Sequence, residues 1–518
     1  MAYRHGVYTS EVATSVQAAP AVDSALPFVI GTAPKQIGPV LVTSWSSYCE
    51  QFGVSAQVDI NSGIYTNGGT LTNFAYYWFM LAGRGDCILQ STPSDNFASE
   101  EVALSSGGND INARFVIDLS GVASAKRPAI RAILEGASVH VEVAESVYSA
   151  AVVGADGIEY EGTLSSSAVC APFTITIDGV TITISLKNMA TDAAVADAVF
   201  PADVDEIDAV LYAYGESVES VGILSACINN IHTIYERFGR VASILAAPRL
   251  CETEGAAAVM AAAVSNIGGR FKGIAVIDIP AGLGSSSVSA SNIATSKPTT
   301  SPYAILGWPY VGVGEMRFAA SVAITAAFNA VDGQYGGFPY VSPSNKALPV
   351  TGSYFTDRSS SPAIEVPVYY TRDDVNTYLG AYGVTGFRNT AAGWVPWGDN
   401  TAAFPGNTDV KDYMIPVRRM FNFVSNQFQI FCDSRVDLPL NRRQLDGVVN
   451  SFNQYLAGLI GFGALNSASI ALDSDRNTTQ SLLAGTVYFR ILIAPPPAMV
   501  VIEGALEYDV AGFEASLA

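Results

Sequence analysis

The sequence predicts a multi-domain α/β (α+β) protein with an all-β insertion and extended terminal arms, and three observations carry that prediction. Short, continuously apolar runs alternate with amphipathic stripes of helical period over residues 27–100 and again over 216–498, the pattern of strands packed against helices. Between them, residues 101–215 change to two-residue alternation. At the two ends the period is lost, so residues 1–26 and 499–518 read as arms. A chain of 518 residues is three to four times the usual domain length of about 150 and has ample material for several cores.

Each element has its own justification, taken in chain order. Gly6 to Val12 is a short strand-like run followed by a stretch with no period. Pro27 to Ala33 reads as a buried strand closed by Gly31 and Pro34, and Asn73 to Leu81 as a buried helix stopped by Gly83 and Gly85. In the insertion, Val139, Val141 and Val143 alternate with Ser138, His140 and Glu142. Phe173, Ile175 and Ile177 lead into Asp178-Gly179 and out through Val180, Ile182, Ile184 and Leu186, a strong hairpin signal. The helical period then returns on the stripe Ile223, Leu224, Cys227, Ile228, Ile231, Ile234, Tyr235 and Phe238. A strand from Val241 to Ala246, a helix from Gly255 to Val264 and a strand from Gly273 to Ile279 follow. Ten of the 21 residues from Gly282 to Pro302 are Ser or Thr, which cannot build a core and predict a solvated loop.

In the last third, Leu445, Val448, Val449, Phe452, Tyr455, Leu456 and Leu459 form one apolar stripe, expected to end at Gly458 and Gly461. Thr486 to Ala494 predicts a strand, Pro495 to Pro497 a stiff link, and Met499 to Val510 a second strand with Val500, Ile502, Leu506, Tyr508 and Val510 on one face. The organisation that results is an N-terminal arm (1–26), a first core segment (27–100), the β-rich insertion (101–215), an α/β segment (216–350), a C-terminal segment (351–498) and a C-terminal arm or strand (499–518).

Composition narrows the function. Only 74 residues are charged, against about 130 for an average soluble chain of this length, so much of the surface is expected to meet protein instead of water. A net charge of −20 argues against nucleic acid, whose phosphates require clustered Lys and Arg. No secretory signal is visible, and the longest uncharged stretch, Gly447 to Leu472, is too interrupted by Asn, Gln and Gly to cross a membrane. Six scattered cysteines suit neither a disulfide framework nor a metal site.

Catalytic signatures are equally absent: the sequence has no GxSxG, HExxH, complete GxGxxG or P-loop, and three histidines in all, so no cofactor, metal or enzyme activity is expected. Asp473, Asp475 and Asn477 open like a calcium loop, which then fails at Thr478 and Ala484. Arg84-Gly85-Asp86 spells an adhesion tripeptide at a predicted turn, and Asn477-Thr478-Thr479 a glycosylation sequon. Trp394 and Trp397 could stack on sugars, though packing is the commoner role. Asp373 and Asp374 begin a predicted helix, where acids favour the dipole. The β-rich insertion together with 24 Tyr, 24 Phe and 5 Trp suggests the alternative function, a carbohydrate-binding or adhesive surface protein.

The opening GVYTSEVATSVQAAPAVDSALPFVIGTAPK and VTSWSSYCEQFG resemble the N-terminus of contractile tail sheath proteins, found in bacteriophage tails, R-type bacteriocins and related injection systems. The resemblance continues through SPYAILGWPYV, AAFNAVDGQYGGFPYVSPSNKAL, WGDNTAAF, YMIPVRRMFNFVSNQF, the Leu445 to Leu459 stripe and SLLAGTVYFRILIAPPPAMVVIEGALEYDV. Residues from about 100 to 215 carry none of it, as an outward-facing insertion would not.

This resemblance implies a structural subunit that polymerises as six-fold rings around a tail tube and contracts to drive the tube through a bacterial envelope. The implied partners are further copies of the chain, the tube protein, and baseplate and tail terminator proteins, with no nucleic acid and no membrane. The implied location is the tail of a virion or particle, assembled in the bacterial cytoplasm. Terminal arms would pair with neighbours as strands through Gly6, Val7, Tyr8, Thr9, Glu11 and Val12 at one end and Val500, Ile502, Leu506 and Tyr508 at the other. A strand making four to six backbone hydrogen bonds contributes about 4 to 6 kcal/mol before ordering entropy. The resemblance also implies a charged tube-facing surface, for which Arg372, Asp373, Asp374, Arg442 and Arg443 are the candidates.

Overall fold

The computed structural model describes residues 23–33, 35, 37–53, 69–92, 96–99, 102–106, 109–119, 121–123, 125–144, 147–166, 170–188, 193–195, 206–213, 221–279, 296–314, 316–357 and 364–517. The N-terminal residues Gly6, Val7, Tyr8, Thr9, Glu11 and Val12 and most of the Gly282 to Pro302 stretch lie outside them.

The first segment contributes strands β1 (Pro27–Gly31), β2 (Val40–Val42) and β3 (Cys87–Ser91), and helices α1 (Trp45–Phe52) and α2 (Thr70–Tyr76), the last running on as one π-turn over Tyr77–Leu81. After the insertion come α4 (Val221–Asn229), α5 (Ile234–Phe238), β14 (Ile244–Ala246), α6 (Ala256–Ser265), β15 (Ile274–Asp278), β16 (Ala304–Gly307), β17 (Tyr310–Val313), β18 (Met316–Phe318) and α7 (Ala320–Gln334). Next are β19 (Gly352–Asp357), β20 (Ile364–Pro367), α8 (Arg372–Tyr378), β21 (Val384–Thr390) and β22 (Gly393–Trp397). Helices α9 (Val410–Tyr413), α10 (Ile415–Asp433) and α11 (Arg442–Phe462), strand β23 (Ser467–Leu472), α12 (Thr479–Leu483), β24 (Phe489–Ala494) and α13 (Val510–Leu517) complete the chain.

The central sheet has the order β2-β3-β1-β14-β15-β16-β21-β22, parallel from β3 to β21 and antiparallel at both edges. Strand β1 pairs with β14, Pro27 opposite Ile244, so the sheet is assembled from both sides of the insertion. Strands β1, β14 and β16 in its middle are apolar on every residue because both faces are covered. Phe28, Ile30, Leu245, Ala275 and Ile277 face α4, α6 and α10, whereas Val29, Ile244, Ala246, Ile274 and Val276 face α1, α2 and α7.

The insertion carries β4 (Asn96–Ser99), β5 (Val102–Ser106), β6 (Asn109–Asp118), β7 (Ser138–Ala144), β8 (Val147–Val153), β9 (Glu159–Glu161), β10 (Thr163–Leu164), β11 (Phe173–Ile177), β12 (Val180–Asn188) and β13 (Glu206–Ala213). The Asp178-Gly179 turn has φ of 50° and 71°, the doubly left-handed geometry of a tight hairpin. It is not purely β: α3 (Arg127–Leu134) packs Ile130 and Leu134 into the same core. The sheet order runs β10-β11-β12-β6-β4-β13-β7-β8-β9, and its two ends are consecutive pieces of one segment joined at Gly162. The sheet therefore closes into a barrel. A side chain at Gly162 would meet the Ala150 carbonyl oxygen at 2.5 Å and Phe173 at 2.8 Å, which is why the corner requires glycine.

Two expectations from the sequence are corrected. Helix α11 passes through Gly458 and Gly461 and stops at Gly463, because the burial of Phe452, Leu456 and Leu459 outweighs the weak helix propensity of two exposed glycines. Met499 to Val510 is not a strand within this chain: residues 499–509 form no ladder, and Val510 begins α13. A strand needs a partner, and the described residues offer this segment none.

Candidate assembly interface

Helix α11 begins at Asn441, whose side chain accepts a hydrogen bond from the Gln444 N–H at 2.9 Å. Val448, Phe452, Leu456 and Leu459 fix its inner face, with the Phe452 ring packed among Phe428, Phe431 and Tyr455. The Tyr455 hydroxyl is buried without a hydrogen-bond partner, and burial pushes its pKa up; burial likewise raises the Cys432 thiol to about 11. Both groups are inert packing at neutral pH.

Against α11 lies a two-stranded antiparallel sheet, β23 with β24, in which Ser469 pairs Leu492, Ile470 pairs Ile491 and Ala471 pairs Arg490. Phe489, Ile491 and Ile493 pack inward, whereas Arg490, Leu492 and Ala494 are exposed. An isolated two-stranded sheet is marginal in water, so this one depends on the helices beneath it. Asp473, Asp475 and Asn477 hold the connecting loop: Asp473 Oδ1 accepts from the Asp475 and Arg476 N–H groups, and Asn477 exchanges two hydrogen bonds with the Tyr488 backbone. The calcium-like and sequon residues are thus spent on turn chemistry.

Beyond β24 the chain leaves the body. Met499, Val500, Val501, Ile502, Leu506 and Tyr508 are all more than half exposed, Ile502 at 83% and Tyr508 at 73%. Helix α13 adds exposed Val510 and Phe513, the latter's ring 6.2 Å from that of Tyr508. From Ile491 onward there is no Lys or Arg, while Glu503, Glu507, Asp509 and Glu514 are acidic. An apolar stretch of this length facing water is uncommon on a folded chain.

The root of the N-terminal arm is held by charge. Arg240 donates to Asp23 at 2.6 Å and to Asp86 at 2.7 Å. Arg419, 4% exposed, forks onto Asp332, 2% exposed, at 2.6 and 3.0 Å, and donates to the Ser24 carbonyl at 3.1 Å. The Ser24 hydroxyl closes the network by donating to Asp332 at 2.7 Å.

The other sequence candidates are scattered. Thr371 and Asp374 form a capping box at the start of α8, and hydrogen bonds from Thr371 hold the Asp374 carboxyl below the usual range. Arg372 and Asp373 form an exposed pair at 3.5 Å, and Arg442 pairs Asp446 at 3.0 Å along α11, beside exposed Arg443. Trp394 is buried in β22, Trp397 packs under Arg388 and donates to Asn376, and Asp86 of the adhesion-like tripeptide is engaged by Arg240. These three side chains are thus engaged within the fold. Among the described residues no cluster of His, Cys, Asp or Glu could hold a metal ion, and no helix is long and apolar enough to cross a membrane.

No protein-family model matches the chain. A tail sheath protein of Burkholderia phage BcepMu is 27% identical over 278 residues, 51% of this chain, so the chain spans about half (55%) of that relative's length. In fold, the chain superposes on the sheath of an extracellular contractile injection system, the PVC sheath complex in its contracted state, with a TM-score of 0.54 at 14% identity, covering 99% of each chain. A chain of the six-fold symmetrised anti-feeding prophage baseplate gives 0.53 at 15% identity over 98% of this chain and 100% of that one. The contracted helical sheath of the anti-feeding prophage gives 0.53 at 14% identity over 97% and 99%. The chain is thus similar to contractile tail sheath proteins along nearly its whole length in fold and along half of it in sequence.

Proposed function

We propose that this protein is a structural subunit of a contractile tail sheath, which polymerises as six-fold rings around a tail tube and contracts to drive the tube through a bacterial envelope. It acts without a cofactor and without catalysis. Its partners are other copies of itself, the tail tube protein, and baseplate and terminator proteins, in the tail of a virion or related particle assembled in the bacterial cytoplasm.

The observation that carries this reading is the pairing, in one sheath-like fold, of a two-stranded sheet with an exposed apolar tail that joins no strand among the described residues. Val500, Ile502, Leu506 and Tyr508 would enter a neighbouring copy as a strand, and Gly6, Val7, Tyr8, Thr9, Glu11 and Val12 would do the same from the other end. Each apolar side chain so buried contributes about 1.5 to 3 kcal/mol before ordering is subtracted. One arm binds weakly, and a ring of arms binds well through effective concentration. Subunits joined in this way rotate as rigid bodies between two lattices while remaining tethered. Residues 101–215 form the outer domain, and Arg372, Asp373, Asp374, Arg442 and Arg443 face the tube.

Deletion of residues 499–518 or 1–12 tests the reading. The shortened chains keep the circular dichroism spectrum of the full chain and lose the hollow tubes that the full chain forms under negative stain. Unaltered tubes from both deletions would refute it.

A further inference from the structure

The two edges of the β23–β24 sheet are not equivalent. Asn453 of α11 donates from Nδ2 to the Ile470 carbonyl at 3.0 Å and accepts at Oδ1 from the Ile470 N–H at 2.9 Å. This is the pair of bonds that a residue of an added strand would make, supplied here by a side-chain amide. The register explains how it is possible. In an antiparallel pair, residues point both backbone groups alternately toward and away from the partner. The Asp473 N–H donates to Tyr488 at 3.0 Å, so the odd-numbered residues of β23 face β24 and Ile470 faces outward. By the same alternation Phe489, Ile491 and Ile493 point their N–H and C=O groups away from β23. Among the described residues no strand lies on that side of β24.

We infer that Asn453 is a specificity-determining residue for assembly: it closes the β23 edge, so a strand from a second copy is accepted at the β24 edge, along Phe489, Ile491 and Ile493. This rests on the strand-exchange reading above and goes beyond it by assigning the edge. A hairpin with two open edges could accept strands on either side and grow without a defined lattice. With one edge occupied by its own helix, growth has one direction. The acceptor edge also suits the occupant: exposed Arg490 stands on β24, and the tail brings Glu503 and Glu507 with no base of its own.

Residue-resolved amide hydrogen exchange on the full chain, before and after polymerisation, tests the assignment. In the free chain the Ile470 amide should exchange at least about 100-fold more slowly than those of Ile491 and Ile493. On polymerisation Ile491 and Ile493 should slow by a similar factor, while Ala468 and Leu472 on the opposite edge stay unchanged. Protection appearing at Ala468 and Leu472 and not at Ile491 and Ile493 would overturn the edge assignment while leaving the sheath reading intact. A chain that never polymerises would count against the sheath reading, and comparison of Ile470 with Ile491 in that same free chain would still decide the asymmetry. Asn453→Leu should speed exchange at Ile470 and yield irregular aggregates in place of uniform tubes. Asn453→Asp, which keeps the acceptor and loses the donor, should lie between. Uniform tubes from a folded Asn453→Leu chain would reject the role.

Discussion

The insertion barrel and the C-terminal hairpin are both antiparallel β-structure, and they solve the problem of the open edge in opposite ways. The barrel joins its first and last strands through Gly162 and surrounds its own core, from Phe97 to Leu211, so the strands on its closed path leave no open end. The hairpin leaves β24 unpaired and is followed by a tail with its apolar side chains in water. The barrel also holds most of the net charge. Residues 96–213 hold 5 Lys and Arg against 17 Asp and Glu, a net −12 of the chain's −20, leaving −8 for the other 400 residues. Like charge of this kind opposes the association of barrels with one another. One region closes on itself; the other leaves an unpaired strand and an exposed tail among the described residues.

The largest expected effect breaks the hairpin side. Phe452 is fully buried and is the residue on which α10, α11 and β24 converge, through Phe428, Phe431 and Tyr455. Phe452→Ala should cost about 3 to 5 kcal/mol, as large-to-small core changes do. Denaturant unfolding of the chain measures this, and tube formation should be lost with it, because the acceptor strand loses its support. A loss of stability below about 1 kcal/mol would mean that the hairpin is braced elsewhere.

The barrel side breaks at its corner. Gly162→Val places a branched side chain against the Ala150 carbonyl and the Phe173 ring, and overpacking of this kind costs about 1 to 3 kcal/mol. The barrel's melting transition should fall while tubes still form from the folded protein. If the substitution instead abolished tubes without lowering that transition, the barrel would belong to the assembly contact and the contrast between the two regions would fail.

Much of this division was legible in the residues. The Asp178-Gly179 turn, the fully apolar β1 and the helix at TRDDVNTYL follow from local chemistry, and their structures match. The tail's alternation of Val500, Ile502 and Tyr508 with acids reads as a strand, yet a strand is a property of two segments, and no second one stands beside the tail among the described residues. Barrel closure was illegible because Gly162 resembles any turn glycine; only the positions of Ala150 and Phe173 make it special. The ties from Asp23 to Arg240 and from Ser24 to Arg419 span 217 and 395 residues, beyond any local pattern. Asn453 is hidden for a similar reason: on the helical wheel it is a polar residue between apolar ones, and its function appears only once β23 lies beside it.

The smallest expected effect is a pH dependence confined to the barrel. On its outer surface His140 of β7 stands opposite Asp208 of β13, with Nδ1 2.6 Å from Oδ1, and Glu206 and Glu142 lie nearby. The hydrogen bond that His140 donates to Asp208, with these carboxylates behind it, raises the histidine pKa above its ordinary value, against the opposing cost of burial. A raised pKa means that the folded state holds the proton more tightly than the unfolded chain. The stabilisation is therefore complete below about 6.5, the unfolded value, and disappears as pH rises through the folded one. Because both side chains are well exposed, the effect is at most about 1 kcal/mol. His140→Gln should lower the barrel's melting transition at pH 5.5, leave it nearly unchanged at pH 8.5, and not alter tube formation at either pH. A larger loss at pH 8.5 than at pH 5.5 would show that the imidazole is held neutral, with Asp208 accepting from it as an ordinary hydrogen-bond partner.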